Sequence, residues 1–169
     1  MSKLKQLFKQ DELRKSYKAL RHLAKASPSH GVDKIKFKDF DGNARGHLQS
    51  ISREVIGKRY QHQGLRPFSI PKSDGSERWI AIPTHRDRAV QRVLKVELSE
   101  TYRSSIQTGV GFGSLRYIGV EQETDAATLA CELKPKFPFI VKTDIGRFFD
   151  NINRNDAKSA LRSVVRHRS

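Results

Sequence analysis

The sequence predicts an α+β fold, because helical apolar spacing recurs along most of the 169 residues while β-type patterns occupy two short segments. The first segment, residues 67–83, predicts a hairpin around a Ser-Asp-Gly turn. The second, residues 139–144, is a short apolar strand that delivers Asp144 to a turn. Helical spacing marks five segments, residues 3–26, 43–60, 85–103, 118–134 and 155–167.

The first predicted helix, residues 3–26, has apolar residues on one face and lysines and arginines on the other. This basic face is either an ordinary solvated surface or a contact for phosphates, and both interpretations stay open. The segment Ser27-Pro-Ser-His-Gly31 then breaks the helix. The next helix, residues 43–60, carries an aliphatic stripe that fits a core.

The later elements have recognisable ends. Thr84 is placed as the N-cap of helix 85–103, and Asp87 follows three residues on, as in a capping box. The Gly- and Ser-rich residues 104–117 predict a loop. The last helix, residues 155–167, has an acid near its start and arginines near its end, which suits the helix dipole.

The charge points to a polyanionic partner. Lys and Arg total 33 against 18 Asp and Glu, which gives a net charge of +15 and an isoelectric point near 10.2. Nucleic acid is the first candidate for such an excess. No apolar run approaches the roughly 20 residues of a spanning helix, so we expect no membrane partner. Cys131 is the only cysteine, and the charged start is unlike a secretory signal, so a cytoplasmic location is expected.

Asp144 is the first candidate for chemistry. Magnesium takes oxygen ligands, commonly one or two carboxylates together with substrate phosphates, and the backbone carbonyl of Ile145 could supply another oxygen. An aspartate after a strand also commonly caps a turn or a helix, so both roles stay open. Asp150, which follows two aromatics, fits a cap better than a metal ligand.

The hairpin and the helix after it supply candidate cations. Lys72 and Arg78 flank the turn at a spacing that can place both on one side of a two-stranded ribbon. Such a ribbon could fold onto a triphosphate, or it could be a solvated hairpin with two exposed bases. Arg86 and Arg88 open the following helix and could grip a nucleic-acid backbone, although Asp87 could instead neutralise one of them.

Several motifs in a fixed order resemble one family, the bacterial reverse transcriptases, and within it the group II intron maturases and the related retron and phage-defence enzymes. The resemblance covers about residues 30–153. Its motifs are Gly31-Val-Asp33, Ile70-Pro-Lys-Ser-Asp-Gly75, Arg78, Ile82-Pro-Thr-His-Arg-Asp-Arg88-Ala-Val-Gln91, Gly111-Phe112 and Asp144-Ile-Gly-Arg-Phe-Phe-Asp-Asn-Ile152.

The resemblance implies a right-hand polymerase that acts as an RNA-directed DNA polymerase. Residues 1–30 would be a basic helical extension, residues 31–136 the fingers, and residues 137–169 the first strand and helix of the palm. Asp144 matches the first catalytic aspartate, which binds both magnesium ions of the complete site. Ile145 matches the position whose backbone carbonyl also binds metal.

The resemblance also implies roles for other residues. Lys72 and Arg78 match the residues that hold the incoming triphosphate, and Phe149 matches the aromatic that selects deoxynucleotides. The family's template contacts fall at Arg86, Arg88, Gln91 and Arg116. The implied partners are an RNA template, a DNA or RNA primer and a dNTP.

Two departures qualify the resemblance. The family follows Gly-Phe with Arg-Pro-Gly-Arg-Ser, but here Gly111-Phe112 is followed by Gly113-Ser-Leu-Arg116-Tyr, which points to a divergent branch. The family's paired aspartates, in a Tyr-x-Asp-Asp hairpin, are absent from this sequence. We therefore expect no polymerisation by this chain alone, with a second chain or further segment supplying the rest of the palm and the thumb. The alternative is a non-catalytic basic RNA-binding module built on a polymerase fingers fold.

Overall fold

The computed structural model of the chain describes residues 3–26, 29–102, 126–137, 139, 141, 143–146 and 148–165. The chain divides into two compact units, Met1–Gly111 and Phe112–Ser169. The boundary between these units does not coincide with the segment boundaries predicted from the sequence, which fall at 30/31 and 136/137. The assignment of those segments to an extension, fingers and palm stays a prediction. None of the described helices combines the length and the apolar character that crossing a bilayer requires.

The first unit begins with two helices, α1 (Lys3–Leu7) and α2 (Gln10–Ala26). The prediction of one continuous helix over 3–26 is therefore wrong at residues 8 and 9. The break turns Phe8 inward, where its side chain is 0% exposed. Its carbonyl accepts a hydrogen bond from the Ser52 hydroxyl at 2.6 Å, so the backbone group that leaves the helix is still satisfied.

Three further helices complete the core of this unit. They are α3 (Phe37–Gly42), which the sequence reading missed, α4 (Ala44–Ile56) and α5 (His85–Thr101). The predicted helices 43–60 and 85–103 are confirmed with shorter bounds. The core cluster draws on α2 to α5 and on Phe8 in the break before α2. It consists of Phe8, Leu13, Tyr17, Phe37, Phe40, Leu48, Ile51, Val55, Ala89, Val90 and Val93.

The predicted hairpin is confirmed. Strands β1 (Arg66–Pro71) and β2 (Glu77–Ile82) pair antiparallel, with Arg66 opposite Ile82 and Ile70 opposite Arg78. Only Ile82 of these strands is buried. The hairpin therefore stands out from the helical core and is anchored at its base. Helices and a small sheet are compatible with the predicted α+β class.

The described part of the second unit consists of α6 (Ala126–Leu133), α7 (Phe148–Asn151) and α8 (Arg154–Val164). The predicted helix 155–167 is confirmed up to Val164, with Val165 as its C-cap, and residues 166–167 lie outside the described residues. Helix 118–134 is confirmed from Ala126 on, while its earlier part and the predicted loop 104–117 lie outside the described residues.

The predicted strand 139–144 is wrong for its described residues, which belong to no strand. The described residues offer no neighbouring strand to pair with this segment, and a strand is held by ladder hydrogen bonds to such a neighbour. The described residues of this unit contain no other strand. As a result Phe139 and Val141 are 86% and 85% exposed, although their sequence pattern is typical of a buried segment.

Candidate nucleotide and nucleic-acid interface

The strand register assigns the hairpin residues to two faces. Residues directly opposite in an antiparallel pair share a face, and the faces alternate along each strand. Arg78 lies opposite Ile70, and the Lys72 amide donates to the Ser76 carbonyl at 2.8 Å, which extends the register by one pair. Lys72 and Arg78 therefore share one face, as their spacing predicted.

The conformation and hydrogen bonds of the turn between the strands hold these two cations near the tip of the hairpin. Gly75 has φ of +81°, a left-handed conformation that glycine adopts without strain. Asp74 accepts from the Ser76 hydroxyl at 2.6 Å and from the Ser76 amide at 2.9 Å. These hydrogen bonds lower the pKa of Asp74, and the Asp74 carboxylate therefore stabilises the turn itself.

Both tip cations face water. Every residue from Pro71 to Ala81 is exposed, and no salt bridge to Lys72 or Arg78 occurs among the described residues. Trp79, on the opposite face, is 67% exposed. The hairpin can therefore present a lysine and an arginine to an anionic ligand without breaking internal contacts.

The base of the hairpin is built differently. Arg66 donates through Nε to the His30 carbonyl at 2.9 Å, and its guanidinium lies 5.7 Å from the centre of the Phe68 ring. A cavity of about 420 Å³ opens beside this pair, and its lining includes Ser29, Arg88 and Pro83. The face that carries the tip cations thus continues into an apolar and cationic hollow at its base.

A buried carboxylate organises the start of α5. Asp87 is 2% exposed and accepts hydrogen bonds from the Thr84 hydroxyl at 2.7 Å and the Tyr60 hydroxyl at 2.8 Å. His62 Nδ1 lies 3.0 Å from the same carboxylate, and the Gln63 amide donates to it at 3.3 Å. Burial raises the pKa of Asp87, but these hydrogen bonds outweigh that effect and the net pKa is lowered.

Thr84 caps α5 as predicted, since its hydroxyl accepts from the Asp87 amide at 3.2 Å. The suggestion that Asp87 neutralises a neighbouring arginine is wrong, because the Asp87 carboxylate instead contacts Tyr60, His62 and the Thr84 hydroxyl. These partners lie 22 or more residues upstream of α5, and neither helical periodicity nor capping signals report such a contact.

Both arginines at the start of α5 are engaged within the protein. Arg86 pairs with Glu54 at 2.7 Å and lies over the Tyr60 ring. Arg88 donates to the Ser29 carbonyl at 2.9 Å and to the Pro83 carbonyl at 3.2 Å. Their predicted contact with nucleic acid must compete with these bonds. Gln91, by contrast, is exposed.

Gly31 occupies a position whose need for glycine only the structure explains. A Cβ built on Gly31 would lie 2.6 Å from the Thr84 Cα and 2.7 Å from the Thr84 nitrogen. Real side chains do not occupy such distances, so only glycine lets this loop reach the start of α5. Residues 29–31 are thereby held between Arg66 and Arg88. The sequence analysis identified the motif Gly31-Val-Asp33, but the steric role of Gly31 could not be predicted without the fold.

Asp144 and Ile145 are both exposed, and the structure brings neither together with Lys72 or Arg78 within one compact unit. Among the described residues no group of three His, Cys, Asp or Glu side chains could hold a metal ion. The magnesium ligands that the resemblance implies therefore stay a prediction. Phe149 belongs to α7, but its side chain lies outside the described set, as does all of Arg116.

The turn after Asp144 leads into α7. In this turn the Asn151 side-chain amide donates to the Gly146 carbonyl at 3.0 Å. Arg147, which lies between Asp144 and α7, is outside the described residues, so the capping and the metal interpretations of Asp144 both stay predictions. Asp156 lies in the first turn of α8, near its start as predicted.

Positive charge concentrates in the unit that carries the hairpin. Residues 1–111 hold 23 of the 33 Lys and Arg residues but only 11 of the 18 Asp and Glu residues. Most of the excess that predicts a polyanionic partner therefore belongs to this unit.

The chain is similar to protein YkfC of Escherichia coli, with 25% identity over 143 residues that make up 84% of this chain and 38% of YkfC. It is also similar to a COX1/OXI3 intron 1 protein of Saccharomyces cerevisiae, with 21% identity over 134 residues, 78% of this chain and 15% of that protein. No protein-family model matches the chain. The alignments span well under half the length of either relative.

Proposed function

We propose that the chain is the N-terminal portion of an RNA-directed DNA polymerase, a reverse transcriptase of the kind associated with introns. The observation that carries this proposal is the hairpin register, which gives Lys72 and Arg78 one shared, solvent-facing side. Distant similarity to an intron 1 protein and the order of the sequence motifs support the same family. The short share of each relative that is aligned supports the idea of a portion.

In this proposal the hairpin tip holds the triphosphate of an incoming dNTP. Lys72 supplies a compact charge, and Arg78 supplies a planar fork of donors that matches phosphate oxygens. Because both side chains are exposed and free of carboxylate partners among the described residues, binding costs no internal ion pair. The expected binding of Mg²⁺ by Asp144 and the Ile145 carbonyl rests on the resemblance alone.

The decisive experiment uses Trp79, the single tryptophan of the chain, which lies next to Arg78 in β2. Titration of the full chain with dNTP and Mg²⁺ should change its fluorescence, and Lys72→Ala and Arg78→Ala should each weaken the response about tenfold or more. Lys38→Ala, at an exposed cation of α3, is the matched control and should leave the response unchanged.

The competing candidate is a non-catalytic RNA-binding module, and it is favoured by the isolation of Asp144 from other metal ligands among the described residues. It predicts salt-sensitive RNA binding with no response to dNTP and no effect of Asp144→Ala. A primer-extension assay adds a second discrimination. Extension by this chain that disappears in Asp144→Ala would contradict the view that further carboxylates are needed.

A further inference from the structure

The two cations at the tip of the hairpin are diagonal neighbours across its strands. Arg78 lies opposite Ile70. The bond from the Lys72 amide to the Ser76 carbonyl makes Ser76 the residue opposite Lys72. Lys72 and Arg78 are therefore one pair apart, which corresponds to about 7–8 Å at the backbone. Two like charges at this distance repel each other, so their separation depends on how firmly the turn is held.

Asp74 satisfies a backbone amide that the turn leaves without a ladder partner. The Gly75 amide donates to the Lys72 carbonyl at 3.1 Å, and Gly75 is left-handed with φ of +81°. This is the arrangement of a glycine bulge, in which the glycine rather than the next residue bonds the facing carbonyl. The Ser76 amide donates instead to the Asp74 carboxylate at 2.9 Å, and the Ser76 hydroxyl donates to the same oxygen at 2.6 Å.

The tip has little other support from the described part of the chain. Every residue from Pro71 to Ala81 is exposed, and no salt bridge among the described residues reaches Lys72, Asp74 or Arg78. The turn is closed by the two backbone bonds at Lys72 and by the two bonds to Asp74. Loss of the Asp74 carboxylate therefore removes half of the hydrogen bonds that hold the turn.

The charge of Asp74 acts against anion binding, whereas its hydrogen bonds favour it. The bond from the Ser76 hydroxyl, then the bond from the Ser76 amide, and further the charge of Lys72 lower the pKa of Asp74, so the carboxylate is ionised at neutral pH. An ionised carboxylate beside Lys72 weakens the local attraction for a phosphate. Glu77, another acid of the hairpin, lies opposite Pro71 on the face away from the two cations. The acid at the tip is thus explained by its bonds and not by its charge.

We propose that Asp74 is a positioning residue of the nucleotide site and acts through Lys72. Its bonds to Ser76 fix the turn, and the fixed turn holds Lys72 on the face and at the distance from Arg78 that suit a triphosphate. This rests on the proposed function, because it concerns how the same two cations are arranged for an incoming nucleotide. The sequence predicts Asp74 only as a turn residue.

The test separates the bonds of Asp74 from its charge. Binding of dTTP with Mg²⁺, and of tripolyphosphate, to the full chain is followed by Trp79 fluorescence. Asp74→Asn keeps an oxygen that accepts from Ser76 and loses the charge, so it should bind both ligands at least as tightly as the wild type. Asp74→Ala also loses the bonds and should bind them about tenfold more weakly. Glu77→Ala, which removes an acid from the other face, is the matched control and should not weaken binding.

A double-mutant cycle shows whether Asp74 acts through Lys72. In the Lys72→Ala background, Asp74→Ala should change the affinity by about twofold or less, because no lysine is left to position. An undiminished loss in that background would overturn the inference. Equal affinities of Asp74→Asn and Asp74→Ala would also overturn it, since the hydrogen bonds would then have no effect on binding.

Circular dichroism checks the folding of each variant, and no change is expected at a tip this exposed. Should Asp74→Ala disrupt the hairpin, Ser76→Ala carries the test, because it removes only the hydroxyl bond of 2.6 Å and should weaken binding about threefold. An unweakened Ser76→Ala would then count against the inference.

The two ligands keep the positioning role distinct from the proposed function. Tripolyphosphate binding that depends on Asp74 as expected, in a chain that does not respond to dTTP, would support the positioning role and refute the polymerase function. Binding of dTTP that is equally strong in the wild type and in Asp74→Ala would refute the positioning role and leave the polymerase function standing. A chain that binds neither ligand would refute both.

Discussion

The hairpin tip and the start of α5 both carry two cations, yet they use them in opposite ways. Lys72 and Arg78 stand on an exposed ribbon with no ion pair among the described residues. Arg86 and Arg88, eight and ten residues after Arg78, bind Glu54 and the loop at Ser29. Each place carries two positive charges, so the difference comes from burial and from the partners the fold supplies.

This difference separates cations that hold the fold from cations that remain available to a ligand. A half-buried arginine must satisfy its charge and donors inside the protein, because leaving them unpaired costs free energy. An exposed cation on a protruding ribbon has water as its partner and can exchange it for a phosphate. The start of α5 is therefore expected to respond to mutation in stability, and the hairpin tip in binding.

The largest expected effect on the fold is at Asp87. Asp87→Ala leaves the Tyr60 hydroxyl, the Gln63 amide and the Thr84 hydroxyl without their acceptor, so we expect a loss of about 4 kcal/mol in the free energy of unfolding. Urea unfolding measures it. The control is Asp39→Ala, at an exposed acid in the first turn of α3, with an expected change of about 0.5 kcal/mol or less. Equal losses would remove the distinction between the two regions.

Next in size is the close approach of Gly31 to Thr84. Gly31→Ala places a methyl group 2.6 Å from the Thr84 Cα, where backbone must shift, and should cost about 3 kcal/mol. Gly64→Ala is the control, since nothing lies within 4 Å of its added Cβ. A Gly31→Ala protein with unchanged thermal stability would show that the loop at residues 29–31 is not clamped as described.

The sequence predicted the hairpin, its turn, the Thr84 cap and the common face of Lys72 and Arg78, because each depends on a pattern within about a dozen residues. It did not predict that Arg88 binds the Ser29 loop or that Asp87 binds Tyr60. Those contacts join segments 59 and 27 residues apart, and only packing determines them. The strand predicted at 139–144 is wrong for its described residues for a related reason, since the described part of the chain offers it no neighbouring strand.

A matched pair of substitutions tests the comparison directly. Arg88→Gln removes bonds to Ser29 and Pro83 and should cost about 2 kcal/mol of unfolding free energy. Arg78→Gln, at an exposed position, should change stability by about 0.5 kcal/mol or less but weaken dNTP binding. Chemical unfolding measures the stability of each variant, and titration with dNTP followed by Trp79 fluorescence measures its dNTP binding. Loss of stability in Arg78→Gln with unchanged dNTP binding would reverse the assignment.

The buried imidazole of His85 gives a smaller, pH-dependent effect. Burial first, and then Arg88, lowers the pKa of His85 below its ordinary value of 6.5. The unfolded state therefore binds a proton more readily than the folded state, and stability should fall as the pH drops below about 6.5. His85→Phe, placed between Phe37 and Phe40, should flatten the dependence between pH 7 and pH 5. His47 also has a lowered pKa, so His47→Gln separates the two contributions.

The smallest effect is expected just after the end of α4, where the chain leads to Tyr60, a hydrogen-bond partner of Asp87. Lys58 has φ of +57°, while its amide donates to the Val55 carbonyl and the Arg59 amide to the Glu54 carbonyl. This is the helix-terminating motif that favours glycine at the Lys58 position. Glycine relieves the strain of the left-handed backbone in the folded state, but it also gives the unfolded chain more conformational entropy. Because the first effect is larger here, Lys58→Gly should raise the free energy of unfolding by about 0.5 kcal/mol. Lys36→Gly, at φ of −72°, gains no such relief and should not stabilise. Equal melting-temperature changes in the two variants would show that the backbone at Lys58 carries no strain, and that the segment leading to Asp87 is held by its side-chain contacts alone.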